Sequence, residues 1–319
     1  EGAPATLGIG RYNAAGLVLD ASGTYAYTVL DVGVHGWVMR QNLATGASDA
    51  LMIDDPQPAQ LVLSRDGRYL YAATFSTPVA VAKIDLATFQ IANERAFVGF
   101  GFASALAISP DGATLYIGTH EDPASILAID TATLTRTASE TLVSGASNAG
   151  GLLISPDGHH LYVGVGIPGV PGQTQVVRFD LPGFDHALST SASPIYDGGN
   201  WMAAAAISLD GSTAWYAPYI AGSPAEISAV DLDTMTVKEM LTLGAGEESP
   251  NQIAVDGASE YGYVSLYTAP GQVARIHLTT PRMLTLTMAG GGTGRVVDQR
   301  GALTCTTAVS YTHLRAHET

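Results

Sequence analysis

Two groups of residues in this sequence are of types that can do chemistry. The first is His120-Glu121-Asp122, an imidazole beside two carboxylates, which is the composition of a general acid/base cluster. The competing reading is a solvated loop, because no partner for proton transfer can be placed from sequence. The second is a dispersed set of oxygen donors, Asn148, Asn200, Glu248 and Asn251. Hard oxygen ligands are what Ca²⁺ takes, so these four are the candidate metal set. Against that, Asn closes turns and a lone Glu is usually hydrated. Trp201 and Glu247 adjoin the set and complete a candidate ligand-binding group.

Other chemistry is absent or poorly formed. Ser147 and Ser259 lack the last glycine of a Gly-x-Ser-x-Gly nucleophile turn. Gly290-Gly-Gly-Thr-Gly294 lacks the Lys-Ser/Thr that a phosphate loop needs. Cys305 is the single cysteine, which excludes an internal disulfide framework, a multi-cysteine metal site and a covalently attached haem within this chain. The charge of −15, from 29 acids against 14 Lys and Arg, argues against nucleic acid as a partner. No apolar run reaches the length of a membrane span. A protein or a small polar ligand is the expected partner.

The elements that must position these residues are repeated. An apolar run ending in Ser or Asp recurs at Asp20, Ser64, Ser109, Ser155, Ser208, Asp256 and Asp298, at spacings of 44, 45, 46, 53, 48 and 42 residues. Three residues after six of these anchors stands a glycine, with Ser259 the exception. Seven after them come Tyr27, Tyr71, Tyr116, Tyr162, Trp215, Tyr263 and, in the last copy, Cys305. A second landmark follows at Asn42, Asp85, Asp130, Asp180, Asp231 and His277, each before a short turn. Each unit reads as four short strands, A to D, with Ser109-Pro-Asp-Gly112 as the model A–B turn. Four-stranded units of this period predict an all-β β-propeller of antiparallel blades. Seven blades are favoured over eight, and the last is truncated. Strand A is rich in small residues, as in Ala203-Ala-Ala-Ala206, which suits a crowded axis.

The units at Ser109 and Ser155, with Ile129-Asp-Thr-Ala-Thr133, resemble the YVTN-type β-propeller repeat of prokaryotic surface and periplasmic proteins. The resemblance covers residues 13 to 308. It implies the fold strongly and an activity weakly, because the repeat serves surface-layer proteins, lactonase-like enzymes and dehydrogenase subunits. Ser249-Pro-Asn-Gln-Ile-Ala-Val-Asp256 is also similar to a stretch of calcium-dependent propeller lactonases.

In such a fold the D–A and B–C loops meet at one channel mouth, which would gather Asn148, Asn200, Trp201, Glu247, Glu248 and Asn251 with the His120 cluster. The expected function is an extracytoplasmic binding module: periplasmic, cell-surface or secreted. The alternatives are a lactonase-like hydrolase with a metal or a carboxylate/His site at that mouth, and a propeller subunit of a periplasmic dehydrogenase. Residues 1–308 are expected to form one domain. Gly164–Gly172 is expected to protrude as a long B–C loop of an irregular fourth blade. Val309–Thr319 matches a translated sequencing adapter in one reading frame, so 309–319 is expected to be a non-native tail on a fragment of a longer, metagenomic chain.

Overall fold

The computed structural model describes residues 13–31, 36–53, 58–97, 100–142, 145–167, 173–184, 192–197, 201–219, 224–256, 259–266, 272–278, 296–297 and 304–305. The chain divides into two compact units, Glu1–Leu278 and Thr279–Thr319.

The first unit is a β-propeller. Five consecutive four-stranded antiparallel sheets follow the chain as simple meanders, and a sixth has three described strands. Their innermost strands are Asn13–Leu19, Pro58–Leu63, Phe102–Ile108, Ser147–Ile154, Trp201–Ile207 and Pro250–Val255. Inner strands of successive blades contact one another, and Gln252 of blade six reaches blade one, its Oε1 accepting the Leu17 N–H at 3.2 Å. Among the described residues there is no helix, and none long and apolar enough to cross a membrane.

Among the described residues six blades are present where seven were expected. Of the seventh copy the described residues form a two-stranded ladder, Val296–Val297 against Thr304–Cys305, in the second unit. The ladder falls where that copy's strands A and B should lie. The copy is the degenerate one, with Cys305 in place of the aromatic. Val309–Thr319 lies outside the described residues.

The anchors form because their turns close locally. At Ser64, Ser109, Ser155 and Ser208 the hydroxyl donates to the carboxylate two residues on, at 2.5 to 2.6 Å. It also accepts the N–H five residues on. The carboxylates of Asp66, Asp111, Asp157 and Asp210 accept a further backbone N–H two residues ahead. Gly67, Gly112, Gly158 and Gly211 take positive φ, which glycine adopts without a Cβ clash. The turns also touch around the ring: a Cβ on Gly211 would stand 2.7 Å from Pro156 of the preceding blade.

The second landmark works similarly. Asp85, Asp130 and Asp231 each accept two N–H groups of their C–D turn through Oδ1. Four residues after the landmarks, Phe89, Leu134, Phe184 and Met235 sit at φ between 51° and 53°, and all four are buried. A left-handed apolar residue costs about 1 kcal/mol, and its burial offsets that cost. Leu134→Gly tests the balance. Relief of strain is about 1 kcal/mol and loss of a buried Leu side chain about 3 kcal/mol, so denaturant unfolding should show a net loss near 2 kcal/mol. A stabilised variant would show that strain dominates.

The position-seven aromatics lie between blades. Tyr71 packs with Leu115 and Ile117 of blade three, Tyr162 with Met202 of blade five, and Trp215 with Ile253 and Val264 of blade six. Tyr27, Tyr71, Tyr116, Tyr162 and Trp215 are buried, whereas Tyr263 in the sixth sheet is 42% exposed.

Blade four is irregular, though not as its composition suggested. Gly164 to Ile167 pair with Val176 to Gln173 as ladder residues, and 168–172 of the expected loop lie outside the described residues. Gly164 is glycine for another reason than a turn: a Cβ there would stand 2.4 Å from Met202 Cγ of blade five. The irregularity lies in strand A, where the register shifts twice, at Ser147/Ala149 and at Gly150/Leu153.

Candidate functional site

The His120 cluster disperses into three structural roles. His120 ends strand B of blade three, with Phe75 edge-on at 5.9 Å, and Phe75 stacks on Phe102 at 4.7 Å. Glu121 accepts the Gly101 N–H at 3.2 Å through Oε2 and the Thr119 hydroxyl at 3.0 Å through Oε1. It thereby ties the B–C connection to the segment entering strand A. Asp122, which precedes a cis proline, accepts the Gly145 N–H at 3.2 Å from the approach to blade four. Glu121→Ala should cost about 1 kcal/mol in denaturant unfolding, the net worth of its hydrogen bonds. An unchanged midpoint would show that the loop is held without this carboxylate.

The oxygen-donor set is only partly placed. Asn200 lies outside the described residues, and Trp201 is placed as the first residue of strand A in blade five, opposite Tyr219. Glu247 accepts the Gly244 N–H at 2.7 Å and its carbonyl accepts from Ala225, so it closes its own turn. Glu248 is half-buried and bridges Pro224 through its backbone. Asn251 is half-buried at the register shift between Pro250 and Gln252. Asp256 stands at the other end of that strand, where Oδ1 accepts the Glu260 and Tyr261 N–H groups. At about 3.3 Å per residue, the Asn and the Asp of the lactonase-like stretch lie too far apart to share an ion. Among the described residues no three His, Cys, Asp or Glu side chains gather where they could hold a metal.

Asn148 differs from the rest. It is 1% exposed at φ 62°, and neither polar atom of its amide has a hydrogen-bond partner among the described residues. An unsatisfied buried amide costs about 1–3 kcal/mol, and glycine takes this φ freely. Asn148→Gly should therefore raise thermal stability by about 1 kcal/mol. A loss of that size would show that the amide finds partners beyond the described residues.

The feature that sequence reasoning missed is the channel wall. Every inner strand carries a register shift. In blades two, three, five and six it falls at the same place, five residues before the anchor, at Ala59, Ser104, Ala203 and Asn251. A bulge re-aims the side chains that follow it. The residues three and four before the anchors of blades two to six accordingly line a cavity of about 140 Å³. Its polar side chains are Gln60, Ser104 and Gln252, and small residues such as Gly151, Ala204 and Ala205 make the room. The available signal was the matched Pro58-Ala-Gln-Leu61 and Pro250-Asn-Gln-Ile253, which put Gln at the same offset in two otherwise apolar strands.

These features define an all-β propeller with a narrow channel whose described lining is uncharged, and an aromatic pair at the end where strand B leaves and strand A enters. The solved structures agree on the fold. The chain is similar to "Kuenenia stuttgartiensis Hydrazine Synthase", with a TM-score of 0.68 and 16% identity over 83% of this chain and 76% of that one. It is also similar to the Myceliophteria thermophila Cps50 (Swd1) β-propeller domain, with a TM-score of 0.52 and 15% identity over 85% of this chain and 100% of that one. At such identities the likeness is one of fold. No family model and no curated protein matches the sequence.

Proposed function

We propose that the chain is a non-catalytic binding module, of the YVTN type and working outside the cytoplasm, that presents its D–A and B–C rim to a protein or a small polar ligand. The observation that carries this reading is the Phe75–Phe102 pair at that rim, with Phe102 37% exposed. Aromatic side chains are enriched where partners dock. The nearest acid/base candidates, Glu121 and Asp122, hold loop backbone. Only two lysines and one cysteine in an acidic chain are compatible with export.

The test is aimed at the hydrolase alternative. Aliphatic and aromatic lactones are incubated with the chain, with and without Ca²⁺, and ring opening is followed by proton release. The expected rate is that of buffer. Turnover that disappears in Glu248→Gln or His120→Ala would overturn the module reading and establish a hydrolase. Localisation is tested separately, by fractionating cells of the source organism and probing the fractions with an antibody against the chain.

A further inference from the structure

We propose that the cavity between the inner strands of blades two to six is itself a ligand site, for a small uncharged molecule rich in hydroxyl or amide groups. This deepens the binding-module reading and rests on it, but moves the small ligand from the rim into the channel. The first argument is size. An apolar cavity of about 150 Å³ admits benzene, so about 140 Å³ suits a molecule of similar bulk. The second is charge. Among the described residues the lining carries no ionisable side chain, although the chain as a whole bears −15. A charged ligand would lose its hydration without a counter-charge in return.

The third argument is hydrogen-bonding capacity. The Ser104 hydroxyl spends its proton on the Ala149 carbonyl at 2.6 Å and so offers lone pairs. The Gln252 oxygen accepts from Leu17 at 3.2 Å, which leaves its two N–H donors as the main remaining capacity. Gln60 brings a second complete amide. A wall with both donors and acceptors matches ligands that have both. Polyols and carboxamides do; hydrocarbons and simple ions do not.

The experiment is saturation-transfer NMR on the full chain. Glycerol and acetamide are the neutral probes, and acetate and guanidinium the charged ones. Two channel variants are used: Gln60→Leu/Gln252→Leu removes the amides, and Ala205→Leu fills the space while keeping them. Far-UV circular dichroism establishes that each is folded. Leu209→Ala, on an A–B turn and 74% exposed, is the neutral control.

Transfer to the neutral probes in the parent chain and in Leu209→Ala, lost in a folded channel variant, supports the site. Absence of transfer in the parent chain, equal transfer to the charged probes, or retention in both channel variants overturns it. If Phe102→Ala loses the signal while the channel variants keep it, the ligand sits at the rim. The channel site then falls and the binding-module reading stands.

Discussion

Gly118→Ala should lower the free energy of unfolding by about 3 kcal/mol or more, the upper end of what overpacking costs. A Cβ built on Gly118 stands 1.9 Å from the Ala149 carbonyl oxygen and 2.8 Å from Leu152 Cδ1. The first contact is with backbone, which cannot swing aside as a side chain can. The Ala149 carbonyl is also the acceptor for Ser104, so moving it would weaken the bond that joins blades three and four. Gly67→Ala is the informative comparison. A Cβ there meets nothing within 4 Å, and only its φ of 67° is unfavourable, at about 1 kcal/mol. Urea unfolding of both variants separates the effects. A Gly118 variant as stable as the Gly67 variant would mean that blades three and four do not approach this closely.

Acid should unfold the propeller through its turns. Asp66, Asp111, Asp157 and Asp210 are held below the ordinary carboxylate range, first by the serine hydroxyl two residues earlier and then by a backbone N–H. Asp130 is lowered by Thr133, and Asp231 is lowered to about 2 by the Thr234 N–H and Lys238. A depressed folded-state pKa means that the folded chain binds fewer protons than the unfolded one. The stabilisation is therefore complete above the unfolded value near pH 4 and drains away as pH falls towards 2. Four of these carboxylates are solvent-exposed and Asp130 and Asp231 half-exposed, so each contributes only about 0.5 kcal/mol after screening. Acting together they contribute on the order of 3 kcal/mol, a large share of a typical domain's stability. Thermal midpoints measured from pH 7 to pH 2 should fall steeply below pH 4. The fall should be shallower in a variant with Asn at positions 66, 111, 157 and 210, whose midpoint at neutral pH should already be reduced. Parallel curves for the two proteins would place the acid sensitivity elsewhere.

The legible parts of this protein share one property: their hydrogen bonds close within about five residues. Ser109 bonds to Asp111 and to the Thr114 N–H, and Asp130 to the Ala132 and Thr133 N–H groups. Their spacing therefore appears directly in the sequence, and the four-stranded period follows from it. What escaped was set between blades. Gly164 reads as a loop former when only its own segment is considered, yet it is a ladder residue paired with Gly150 and Val176 and packed under Met202 of the next blade, thirty-eight positions later. His120, Glu121 and Asp122 read as one cluster because they are adjacent. On leaving the strand, each side chain meets a different neighbour: Phe75, Gly101 and Gly145.

The sequence by itself determined the all-β class, the blade as the repeating unit and the turn chemistry. Each depends on local geometry or on simple burial. Only the tertiary structure decided that six blades rather than seven are built among the described residues, and which side chains face the axis. A register shift of one residue in an inner strand turns a different set of side chains to the channel. That shift is settled by strand pairing and by contact with the next blade, so Gln60, Ser104 and Gln252 came into view only once the strands were packed.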